Sequence, residues 1–192
     1  MNRMELKNNV VKLRPMQKED INGIFEVAAF SEIWTYMSIS VDCKEDVEKY
    51  VNQALSLKET GAELPFVIID AKTDRIIGST KLMDIHTGHQ RGEIGFTWLT
   101  PQYWKTAVNT NCKYLLLSYC FEVLGWQRVQ IKTDHKNIRS QNAIERIGAK
   151  KEGVLRNHMI RKDGTTRHTV MFSITKEEWP ETKRYMEKLL NK

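Results

Sequence analysis

Asn137, Ser140 and Asn142 place three short polar side chains within six consecutive residues, and the pattern around them puts all three in the first two turns of a helix. Residues of this kind lower helix propensity but offer hydrogen bonds to a ligand. The competing reading is a simple helix cap, which Asn137 alone would satisfy, because asparagine is among the favoured helix-starting residues. Val129 and Ile131 alternate as on a half-buried strand, whereas Ile144 and Ile147 share one helical face, so the hydrophobic period switches from two to about 3.6. Gly148 supplies a residue able to end the helix in the left-handed conformation. Residues 126–153 therefore read as strand, polar-faced helix and strand, a candidate cradle for a cofactor. Upstream, Ile94, Phe96 and Trp98 alternate with Glu93, Gly95 and Thr97, which predicts a strand with one apolar face and one small or acidic face.

Composition narrows the partners. The chain has 192 residues, 41% of them hydrophobic, enough for one substantial core, and a single domain over residues 1–192 is expected. Thirty basic against 24 acidic residues give a net charge of +6, which favours anionic partners. No five-residue basic block or basic tail supports a nucleic-acid footprint, and a polyphosphate cofactor accounts for the charge equally well. Cys43, Cys112 and Cys120 are widely spaced, without a CxxC pair, and no apolar signal segment opens the chain, so a reducing cytoplasm is expected. No run approaches the roughly 18 apolar residues of a membrane span. His86 and His89 have the spacing of a metal pair, but no cysteine or carboxylate cluster completes it, and no metal is expected.

These candidates need a scaffold. Val10 to Arg14 reads as a strand closed by Pro15, followed by two amphipathic helices. Their stripes are Ile21, Ile24, Phe25, Ala28 and Ala29, then Val47, Tyr50, Val51, Ala54 and Leu55. Asp42 and Glu45 suit a capping box for the second. Leu64 to Asp70 and Arg75 to Met83 suit a hairpin, with Pro65 at an edge or a strand start. A long apolar helix period runs from Val108 to Leu124 and stops at Gly125. Ala149 to Met159 and Arg167 to Thr175 read as strands around an Asp163-Gly164 turn, and the tail, with Pro180 early, reads as a helix. The order implies a mixed α/β sheet covered by helices.

Together, EIGFTWLTPQYW (Glu93 to Trp104), NTNCKYLLLSYCFEVLGW (Asn109 to Trp126) and NIRSQNAIERIGAKKEGVLRNHM (Asn137 to Met159) resemble the GNAT superfamily of acetyl-CoA-dependent N-acetyltransferases, in particular its RimJ/RimL-like branch. The resemblance implies a GNAT fold, a mixed central sheet of about seven strands with a splayed strand pair, flanked by helices. It implies acetyl-CoA in the splay between the strand ending near Leu99 and the strand Arg128 to Thr133. Backbone groups of Phe96, Trp98 and Leu99 would pair with the pantetheine arm, and Asn137 and Asn142 with cofactor amides. The pyrophosphate would sit at the N-terminus of the helix beginning near Asn109. There the chain departs from the glycine-rich family loop and reads Trp104, Lys105, Thr106, Ala107, Val108, Asn109, Thr110. Lys105 would supply charge, and Thr106, Ala107, Asn109 and Thr110 the remaining contacts.

The implied reaction is direct attack of a primary amine, on a small molecule or a protein N-terminus, on the acetyl group. Glu93 is the candidate base, against an exposed or salt-bridged glutamate as the bland alternative. A tyrosine acid common in the family is replaced by Ile144, which leaves Ser140 to hydrogen-bond the thiol sulfur. Tyr103, Trp104 and Trp34 are candidates for the acceptor pocket, with core packing as the alternative. Homodimerisation is a family-level expectation. The altered loop and missing tyrosine keep a silent CoA-binding sensor or scaffold open, and net charge alone keeps a nucleic-acid-binding module open.

Overall fold

The computed structural model describes residues 4–191. In chain order its elements are β1 (Leu6–Lys7), β2 (Val11–Pro15), α1 (Ile21–Ala28), α2 (Lys44–Glu59), β3 (Leu64–Asp70), β4 (Ile76–His86), β5 (Arg91–Leu99), α3 (Val108–Ser118), β6 (Arg128–Asp134), α4 (Ile138–Arg146), β7 (Lys150–Ile160), β8 (Thr166–Thr175) and α5 (Trp179–Leu190). The described strands form one eight-stranded sheet in the order β1-β2-β3-β4-β5-β6-β8-β7. The strand beyond the expected seven is β1, whose two residues pair with Leu13 and Lys12 of β2. Pro65 falls at the start of β3, an interior strand, and its carbonyl accepts the Met16 N–H.

Each face of the sheet has its own core. On one side, Leu116, Leu117 and Cys120 from the α3 region, Ile144 and Ile147 from the α4 region, and Trp179 and Met186 of α5 cover Ile94, Val129, Ile131 and Phe172. On the other, Ile24 and Ala28 of α1 and Val47, Tyr50 and Val51 of α2 cover Val67, Ile69 and Trp98. Burying such side chains contributes roughly 1.5–3 kcal/mol each. α3 continues into a π-helical turn over Tyr119–Val123, and Gly125, at φ 67°, ends the segment where the periodicity placed its stop.

Two local expectations shift. The second helix is boxed by Cys43 and Asp46, not Asp42 and Glu45. Asp46 Oδ2 accepts the Asp42 and Cys43 N–H groups at 3.1 and 3.3 Å, one residue later than the spacing suggested.

The larger change is in β5. Ile94, Phe96 and Trp98 do not share a face, because Ile94 packs with α3 while Phe96 and Trp98 pack with α1 and α2. The cause is a bulge. Lys81 pairs with Gly95 and Ser79 with Trp98, so Phe96 and Thr97 both oppose Thr80, and Phe96 takes a left-handed φ of 49°. Gly78 meets the bulge from β4, where a Cβ would strike the Trp98 carbonyl and lie 3.0 Å from Leu99 Cα.

Candidate active site

The bulge turns β5 away from β6. These parallel strands pair only at Arg91–Arg128, Gly92–Val129 and Glu93–Gln130, yet β5 runs on to Leu99 and β6 to Asp134. Beyond Glu93 the facing edges leave backbone groups without a strand partner, which is the condition for pairing with a ligand. A cleft of about 640 Å³ occupies this window.

Most of the expected site residues meet there. Glu93, Phe96, Trp98, Leu99, Lys105, Thr106, Asn109, Asn137, Ser140 and Asn142 all line the cleft. Ala107 and Thr110 do not. Thr110 is a buried residue of α3, where its hydroxyl accepts from Arg146 Nη2 at 3.1 Å. The Trp98 side chain is buried, 5.3 Å from Trp34 between ring centroids, and its indole N–H has no hydrogen-bond partner among the described residues. The Leu99 carbonyl is already taken by the Trp104 indole N–H at 2.8 Å. Trp34 itself is core, with its indole N–H on the Ala28 carbonyl at 2.8 Å.

Glu93 is neither exposed nor simply paired. It is 1% exposed, and its Oε2 is 3.0 Å from Lys132 Nζ and accepts Gln130 Nε2 at 3.1 Å. Its Oε1 lies over Gly95, where an added Cβ would meet it at 2.6 Å, and receives no hydrogen bond from the described residues. Glycine at 95 thus leaves that oxygen room beside the window.

Across the window stands α4. The Asn137 side chain accepts the Ser140 N–H at 3.0 Å, so the cap reading holds for its oxygen while its amide NH₂ stays available. Ser140 is half-buried, and its hydroxyl has no partner among the described residues. Ile144 is buried and contributes only hydrocarbon.

At the start of α3, Lys105 takes the positive φ, 60°, that glycine supplies elsewhere in such loops. Thr106 Oγ1 donates to the Tyr103 carbonyl at 2.8 Å and accepts the Val108 N–H at 3.3 Å, which holds the turn without glycine. Arg139 lies over the Trp104 ring at 4.0 Å, and Arg146 also lines the cleft. The helix N-terminus, with Lys105, Arg139 and Arg146 around it, forms a cationic end suited to phosphates.

Lys113 is the residue that motif reading missed. Its side chain reaches from α3 to the window and donates to Thr97 Oγ1 at 2.8 Å, and burial pulls its ammonium from 10.5 down to about 8. The sequence held one signal, a lysine on the otherwise apolar Cys112–Leu116 face. Tyr50 is also buried in the cleft wall, and burial raises its phenol to about 12, so it stays protonated. His86 contacts Asp84 at 3.0 Å, and the described residues contain no group of three metal-ligating side chains.

A sheet parted beside a helix N-terminus suits a ligand that carries both amides and phosphates. Residues 11–150 match the family model described as an acetyltransferase (GNAT) domain. The chain belongs to the GNAT acetyltransferase family and is an acyltransferase. It is similar to YoaA of Bacillus subtilis (strain 168), an uncharacterized N-acetyltransferase, at 28% identity over 178 residues, 89% of this chain and 96% of that protein. It is also similar to the spermidine N(1)-acetyltransferase of Escherichia coli (strain K12), at 21% identity over 88% of each chain. The solved structure of a GCN5-related N-acetyltransferase from Brucella melitensis matches with a TM-score of 0.91 and 26% identity, over 99% of this chain and 86% of that one. No helix among the described residues is long and apolar enough to cross a membrane.

Proposed function

We propose that the protein is an acetyl-CoA-dependent N-acetyltransferase of the RimJ/RimL-like branch, which acetylates a primary amine by direct attack. The observation that carries this reading is the window itself: the strands part just after Glu93 and Gln130, with Glu93 at one side and Ser140 and Lys113 at the other. The residues present fit the donor. Lys105, Arg139 and Arg146 surround the N-terminus of α3, and the unpaired edge of β5 offers backbone partners for amides.

When bound, acetyl-CoA supplies an acetyl thioester in the window. Glu93 Oε1 takes the proton that the attacking amine must lose, and Lys132 and Gln130 fix the carboxylate through Oε2. Ser140 Oγ holds a proton toward the departing sulfur. Lys113, protonated below about pH 8, adds positive charge at the same opening and does part of what a phenol at position 144 would do. Positioning amine and thioester together supplies much of the acceleration.

A thiol-release assay with acetyl-CoA and a panel of small amines and peptide N-termini tests the reading, with products checked by mass. Acetylated amine is the expected product. Absence of acetyl-CoA binding by calorimetry at millimolar concentration would overturn it.

A further inference from the structure

The acceptor side of the window carries more charge than amine transfer requires. Three carboxylates line it, and each already has a cation in contact: Glu63 with Lys81 at 2.8 Å, Glu93 with Lys132 at 3.0 Å and Asp134 with Arg161 at 2.8 Å. Arg167 is held far more loosely. Its side chain is 13% exposed, its Nε is 4.0 Å from Asp134 Oδ2, and that buried Nε has no hydrogen-bond partner.

The register fixes where Arg167 points. Gln130 pairs with Ser173, Lys132 with Met171 and Asp134 with Thr169, so these residues share a face of the sheet. Arg167 lies two residues before Thr169 on β8 and continues that row. Val170, Phe172 and Ile174 occupy the opposite face, in the core with α3 and α5. Arg167 is therefore on the Glu93 side, and it lines the cleft together with Met159, its partner on β7.

A guanidinium cannot shed its charge, and burying one without a partner is unfavourable. Asp134 does not relieve Arg167, because Arg161 engages both of its oxygens through Nε and Nη2, and the Lys136 N–H takes Oδ1 as well. The partner that completes the site is an anion brought from outside, and the planar fork of arginine matches a carboxylate. The paired carboxylates argue the same way, since none is free for the second charge of a polyamine. We propose that the amine acceptor carries a carboxylate, bound by Arg167 on the acceptor face while its amine faces Glu93.

This inference rests on the N-acetyltransferase reading. A free amino acid and an acidic residue beside a peptide N-terminus supply the same chemistry, so the test uses matched pairs of both kinds. One arm compares amino acids with their carboxamides. The other compares peptides beginning Ser-Asp with peptides beginning Ser-Asn, and spermidine stands as the polycationic control. In either arm the acidic member should show kcat/KM roughly tenfold or more above its neutral twin. Arg167→Gln should erase that preference through KM of the acidic member, with a loss several-fold greater for the acidic member than for its neutral twin, and leave acetyl-CoA affinity unchanged. Arg167→Lys, which keeps the charge without the fork, should retain part of it.

Equal rates across both pairs, fastest turnover of spermidine, or equal losses for both twins in Arg167→Gln would overturn the proposal and leave the acetyltransferase reading intact. Acetyl-CoA binding without acetylation of any amine would remove both.

Discussion

The two ends of the cleft hold their charges in opposite ways. At the α3 end, Lys105, Arg139 and Arg146 line the wall with no carboxylate among their ion-pair partners, while on the acceptor face Lys81 and Lys132 sit within 3.0 Å of Glu63 and Glu93. The difference separates two kinds of recognition. Uncompensated surface cations attract an anion of high charge and tolerate looseness, as a polyphosphate requires. Paired, buried charges are held by their partners, and such pairs fix geometry more than they add stability. Lys113 belongs to neither group, being buried like Lys81 but bonded only to a neutral hydroxyl.

The contrast breaks most sharply at Glu93. Glu93→Gln keeps the shape but removes the base, and kcat should fall by roughly 10²-fold or more with acetyl-CoA affinity unchanged. Retained turnover in steady-state assays would return Glu93 to a structural ion pair. Ser140→Ala should lower kcat by about tenfold while leaving KM for the amine near its starting value, the pattern of a contact made in the transition state. At the open end, Lys105→Ala should weaken acetyl-CoA binding by up to about tenfold by calorimetry. That loss should shrink at high salt, because exposed charge is screened.

Lys113 tests the intermediate case. Its amine holds a proton to 10.5 in an unfolded chain but only to about 8 when folded, so the unfolded state binds more protons between those values. Stability should therefore rise as pH climbs from about 8 to 10.5, by at most about 3 kcal/mol. Lys113→Met should flatten that rise in denaturant titrations, leave the fold as stable or more stable at pH 7, and lower kcat below pH 8. The smallest effect is expected at Asn137. Removing its cap in Asn137→Ala should cost about 1 kcal/mol, a shift of roughly 2–4 °C in Tm.

Much of this site could be read from residue order. The polar start of α4, the helix stop at Gly148 and the strand before Asn137 follow from local periodicity, and those signals act over a few residues. What local reading missed depends on the partner strand. Alternation assigned Phe96 and Trp98 to the face of Ile94, because nothing in Gly95-Phe96-Thr97 announces that two residues will oppose Thr80. Arg167 and Lys113 likewise look like ordinary charged residues until the register of β6 with β8 and the packing of α3 bring them to the window. Lys105 shows the reverse limit. The loop glycines are absent, yet a lysine at φ 60° accepts the left-handed conformation at a cost of about 1–2 kcal/mol, and Thr106 steadies it.

The three rungs between β5 and β6 also have a mechanical meaning. Among the described residues they are the only ladder joining the five-stranded part of the sheet, β1 through β5, to the three-stranded part, β6, β8 and β7. Beneath them the α3, α4 and α5 core spans both parts, and a ligand lying in the gap would act as a second splint on the open edge. Amide hydrogen exchange at Gly92, Glu93, Val129 and Gln130 would then slow on binding, along the seam between the two parts.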